Sequence, residues 1–216
     1  MNRREFSTAT VCLLGLAAWG APGLVLAQKK PEEGTEYKTL GQPVAVEAPQ
    51  GKVEVVEFFW YSCPHCNAFE PRLEAWSKKV GPDVALRRVP VAFRDDFVPQ
   101  QRLFYTLEAM GRVNDLHAKV FQAVHGERNP LNKEATIYAW ADKQGLDKAK
   151  FQETFNSFSV TTKARRATQL QDAFKVEGVP ALGVAGRFYT DGTMAGNMER
   201  ALQVTDYLIA EARKSR

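Results

Sequence analysis

The residues best suited to chemistry are the tetrad Cys63-Pro64-His65-Cys66. Two thiols at this spacing can close a small disulfide, share a metal ion, or exchange electrons with other thiols. A structural zinc site needs four ligands, and beyond the two thiols only His65, His117 and His125 could complete one. A permanent disulfide across so short a loop would constrain the unfolded chain little. Redox exchange is therefore favoured, with a metal site and an inert staple as the alternatives.

Position decides what such a pair can do. The run from Lys52 to Trp60 contains Val53, Val55, Val56, Phe58 and Phe59 and reads as a strand covered on both faces. Pro64 suits the first turn of a helix, so a helix is expected to start at or just after Cys63. The N–H groups and positive dipole end of that helix would favour a thiolate at Cys63. Cys66 would lie behind it, nearly one turn on. Glu57 interrupts the apolar strand; facing inward, it must be paired or protonated, and Arg88 on the next strand is the candidate partner.

The chain has 216 residues, enough for one substantial domain or a domain with an insertion. Residues 1–27 combine Arg3-Arg4, an apolar stretch from Val11 to Leu26 and a terminal Ala27, the parts of a secretory signal peptide. Arg3-Arg4-x-Phe6 also resembles a twin-arginine signal, so the export route stays open between the general and twin-arginine paths. Cleavage after Ala27 removes Arg3, Arg4, Glu5 and Cys12, leaving 27 basic and 24 acidic residues and the tetrad as the remaining cysteines. The small positive balance is mixed along the chain, with no basic block, and gives no sign of nucleic-acid binding.

The rest of the chain supplies a frame. A short edge strand is expected within Tyr37–Val46, around Pro43. Phe69, Leu73, Trp76 and Val80 mark one face of a helix from Pro64 to about Val80, with a kink at Pro71. Gly81-Pro82-Asp83 stops it, and Val84–Val91 reads as a second strand, completing a right-handed βαβ unit. Helical periodicity then persists through four or five elements, the last from Val160 to about Phe174. Ala181–Val184 and Arg187–Thr190 form a predicted hairpin about Ala185-Gly186, and Asn197 caps a final helix along Ala201, Val204, Leu208 and Ala212. Two segments of one α/β sheet thus flank a helical insertion. The expected divisions are 28–93 and 168–216 for the sheet domain and 94–167 for the insertion.

The EFF-x-x-x-CPHC segment (Glu57 to Cys66), the insertion and the later Gly178-Val179-Pro180-Ala181 together resemble the DsbA family of periplasmic thiol:disulfide oxidoreductases. The resemblance covers essentially the whole mature chain and implies a thioredoxin-like α/β fold with an inserted all-helical domain. It implies that Cys63 is the low-pKa nucleophile, that Cys66 is the buried partner of the redox-active disulfide, and that Pro64 and His65 tune them. Stabilising the reduced form makes such a disulfide a strong oxidant. Pro180 matches the family's cis-proline opposite the cysteines, with Val179 offering its backbone to substrate. Glu57 matches an acidic residue beneath the site. Implied too are a monomer without bound cofactor, reduced exported proteins as substrates, and reoxidation by a quinone-linked DsbB-type membrane partner. Gly183 departs from the pattern and is expected to widen the groove beside the site. A reductase or isomerase of the same fold, or a secreted binding module with an inert disulfide, are the competing readings.

Overall fold

A computed structural model describes residues 29–215; the signal-peptide reading, including Cys12, falls outside the described residues. The fold is a five-stranded mixed sheet in the order β1-β5-β4-β2-β3. These strands are β1 (Lys38–Thr39), β2 (Val53–Phe59), β3 (Val84–Pro90), β4 (Ala181–Val184) and β5 (Phe188–Asp191). Central β2 runs parallel to β3 and antiparallel to β4. All of its residues are buried, which accounts for its nearly unbroken apolar run. The edge strand β1 lies before Pro43, about which it was expected, and Pro43 itself pairs in no strand.

Alternation along β2 sends side chains to two different cores. Val53 and Val55 pack against Phe69 and Leu73 of helix α1 (Pro64–Ser77) and Leu208 of α7 (Met198–Lys214). Val56 and Phe58 belong to the core shared with the helical insertion, where Phe58 meets Phe174 at 5.2 Å between ring centroids. Glu57 has the parity of Val53 and Val55, and so faces α1. Helix α1 runs through Pro71 as one element and ends before Val80. Asn197 caps α7 by accepting from the Arg200 N–H, as its sequence context predicts.

Between β3 and β4 run α2 (Val98–Ala109), α3 (Val113–Phe121), α4 (Glu134–Lys143), α5 (Lys148–Phe155) and α6 (Phe158–Ala173), the last of which crosses the expected division at 167. A π-helical turn over Gln122–Gly126 extends α3. No strand interrupts them among the described residues. Chain reversal between β4 and β5 uses Ala185 and Gly186 at φ 53° and 64°, closed by the Arg187 N–H donating to the Val184 carbonyl. A side chain at Gly186 would strike the Val44 carbonyl oxygen at 2.0 Å, which explains the glycine there.

Gly183 has a different role from the one its sequence position suggests. A Cβ at Gly183 would lie 2.3 Å from the buried Phe174 ring, so the missing side chain admits Phe174 to the core. It opens no groove. The groove beside the tetrad is lined instead by His65, Val179, Pro180, Thr193 and Met198.

Candidate active site

Cys63 is the N-cap of α1, and its sulfur accepts the Cys66 N–H at 3.4 Å. Pro64 opens the helix, where its missing N–H costs nothing. Both cysteines are free thiols here. A hydrogen bond from the Cys66 side chain holds Cys63 well below the usual thiol range, at about 6, against the opposing effect of burial. The Cys66 and His65 backbone N–H groups help, and the His65 charge adds the smallest contribution. Cys66 is pushed well up, first by burial and then by its hydrogen bond and proximity to Cys63. Two identical side chains thus carry opposite shifts within one helical turn.

The opposite wall comes from a distant part of the chain. The Val179–Pro180 bond is cis, and the Cys63 sulfur sits 3.4 Å from the Val179 carbonyl oxygen. Pro180 directly precedes β4, whose register with β2 carries this wall to the tetrad. His65 is exposed on the same groove.

Beneath the tetrad lies a buried charge cluster. Glu57 is fully buried, with its Oε2 3.4 Å from Arg88 Nε, the partner expected from sequence. Burial, and then the negative charge of Glu70, raise Glu57 to about 8, with Arg88 opposing. Arg88 reaches further, to Glu70 at 2.8 Å and Glu74 at 3.1 Å. Among the described residues no group of three or more His, Cys, Asp or Glu is arranged to hold a metal ion.

Sequence reasoning missed how far the insertion reaches into this site. His117 and His125 of the insertion both contact the segment before the tetrad. His125 Nε2 lies 2.8 Å from the Tyr61 carbonyl oxygen, and His117 Nδ1 lies 2.8 Å from the Tyr61 hydroxyl. Gln100 donates to Ser62 Oγ at 2.7 Å, and Trp60 stacks on Phe97 at 3.9 Å. Two signals were available. Glu70 sits four residues after Cys66, on the same helix face, and His117 shares its face of α3 with Val120 and Phe121.

A DSBA-like thioredoxin domain model matches residues 54–203. The chain belongs to the DsbA family. It is 44% identical over 209 residues to the thiol:disulfide interchange protein DsbA of Bordetella pertussis, covering 96% of this chain and 99% of that protein. The Pseudomonas aeruginosa DsbA is 42% identical over 180 residues, 83% of this chain and 85% of its own. The crystal structure of Pseudomonas aeruginosa DsbA superposes with a TM-score of 0.81 at 40% identity, covering 86% of this chain and 96% of that one. The protein is accordingly a disulfide-forming thiol:disulfide oxidoreductase with the thioredoxin-like fold and helical insertion of DsbA. No helix among the described residues is long and apolar enough to cross a membrane.

Proposed function

We propose that the protein works in the periplasm as a dithiol oxidase, donating a Cys63–Cys66 disulfide to newly exported proteins. The opposite displacement of the two thiols carries this reading: a Cys63 thiolate is a good leaving group, and a Cys66 thiol is a poor competitor for it. A substrate thiolate attacks Cys63 Sγ, the Cys63–Cys66 bond breaks, and Cys66 leaves and takes up a proton. A second substrate thiolate then attacks the substrate sulfur of the mixed disulfide and expels Cys63 as thiolate. The substrate loses two electrons and the protein gains them.

In this reading Val179 offers its backbone to an extended substrate segment, Pro180 shapes that wall, and Pro64 and His65 tune Cys63. Glu57, on the strand beneath, modulates the proton at Cys66; its charge is among the influences on that thiol. Residues 1–27 act as the export signal, and residues 94–167 as the insertion between the two parts of the sheet domain. The monomeric protein uses its disulfide in place of a bound cofactor, and a DsbB-type quinone-linked membrane oxidase restores it. Equilibration with glutathione buffers, together with oxidation of a reduced peptide, tests the direction of transfer. An oxidising potential and stoichiometric peptide oxidation are expected; a potential as reducing as that of thioredoxin overturns the proposal.

A further inference from the structure

The floor of the site holds more charge than the exchange of two thiols requires. Around Glu57 stand Arg88 from β3, Cys66, Glu70 and Glu74 from α1, and, beyond Glu70, His117 from α3. Glu74 is partly exposed and has Lys78 at 3.2 Å as well as Arg88. Glu57 and Glu70 therefore share the buried positive charge of a single guanidinium. Two carboxyl groups in that position retain one proton between them more readily than none.

The contacts of the two carboxyls differ. Glu70 Oε1 takes a hydrogen bond from Arg88 Nη2 at 2.8 Å, and its Oε2 faces His117 Nε2 at 3.4 Å, a polar contact with no hydrogen bond formed between them. Glu57 has only the 3.4 Å approach of Arg88 Nε, and neither of its oxygens is hydrogen-bonded among the described residues. His117 Nδ1 lies 2.8 Å from the buried Tyr61 hydroxyl, and the tautomer in which that hydroxyl donates to Nδ1 carries the ring proton on Nε2, aimed at Glu70. Burial keeps the imidazole neutral by holding it below its usual range.

We propose that His117 is a positioning residue for the exchange reaction: its Nε2–H, oriented by Tyr61, holds the negative charge on Glu70 and so leaves the shared proton on Glu57, beneath Cys66. The helical insertion thereby takes part in proton handling at the thiols. When Cys66 leaves as thiolate, Glu57, which no hydrogen bond joins to it, gives up its proton to it by way of a bridging water and becomes a carboxylate, to be reprotonated from solvent, which has received the protons of the substrate thiols. This rests on the reading of Glu57 as the modulating group.

Carboxyl resonances of the reduced protein, labelled with carbon-13 in its glutamate side chains, test the proposal near neutral pH. In the wild type one resonance of protonated type is expected, assigned to Glu57 through its correlations along the side chain, with Glu70 giving a carboxylate shift. In His117→Leu the protonated resonance should belong to Glu70 instead, and the pH–rate profile of peptide oxidation should lose its dependence on Glu57. His117→Gln keeps an N–H donor and should restore the wild-type pattern. Tyr61→Phe, nearly isosteric, frees Nδ1 to carry the proton and should act like His117→Leu; it serves where the leucine variant fails to fold. If the protonated resonance stays on Glu57 in both His117→Leu and Tyr61→Phe, His117 does not place the proton. If Glu57 gives a carboxylate resonance in the wild type, the reading of Glu57 itself falls, and the role of His117 with it.

Discussion

The rim and the floor of the tetrad use the same side chain to opposite ends. At the rim, Cys63 caps a helix and gathers hydrogen bonds that favour its thiolate. At the floor, Cys66 is buried over Glu57 and stays a thiol. Neither shift comes from the cysteine itself. The Cys66 side chain and the N–H groups of the first turn are aimed at Cys63, while burial closes over Cys66, and that placement sorts the pair into a leaving group and a retained thiol. The largest effects should come from erasing one member. Cys63→Ser is expected to reduce oxidation of a peptide to the uncatalysed background, because no sulfur remains for the substrate to attack. Cys66→Ser cannot form the donated disulfide, but its Cys63 thiolate can still attack a disulfide-bonded peptide and expel one peptide thiolate, and with no Cys66 to resolve it the mixed disulfide should accumulate on a non-reducing gel. Equal residual activity in both would erase the distinction between rim and floor.

The floor makes a second claim, on stability. Glu57 is raised to about 8 in the folded protein, whereas an unfolded glutamate titrates near its ordinary value of about 4.3. Between those values the folded state holds a proton that the unfolded state has released. Stability from this group is therefore full below the lower value and is lost as pH rises towards the upper one. Urea unfolding of the reduced protein should show a decline of at most about 1.4 kcal/mol per pH unit across that window. Glu57→Gln should flatten the decline, since an amide does not titrate. An unchanged slope would mean that Glu57 does not titrate with folding.

Legibility in the sequence followed the range of each interaction. The start of α1, the burial of β2, the Asn197 cap and the Ala185-Gly186 turn rest on neighbours in sequence, and each was readable. Glu57 was readable because a charge within an apolar strand demands a partner, and strand order supplied Arg88. The clamp on Trp60, Tyr61 and Ser62 was not, because Phe97, Gln100, His117 and His125 reach it from separate helices. Gly183 was misread for the same reason. A glycine in a strand signals close approach, and only the packing shows that the approaching group is Phe174.

The smallest effect divides the rim itself. His65 lies between the cysteines, and the family resemblance makes it the tuning residue. Its charge nevertheless ranks below the hydrogen bond from the Cys66 side chain and the two backbone N–H contacts in lowering Cys63. Exposure is the physical reason, since solvent screens a charge more effectively than it disturbs a short hydrogen bond at a helix terminus. Thiolate absorbance followed against pH should therefore show Cys66→Ala raising the Cys63 midpoint more than His65→Ala does. Both shifts are upward, and the His65→Ala shift should shrink further at high salt. A larger, salt-insensitive shift in His65→Ala would place the tuning of the rim in the histidine instead of in the hydrogen bonds from Cys66 and the helix end, and the contrast between rim and floor would then rest on a third side chain as well.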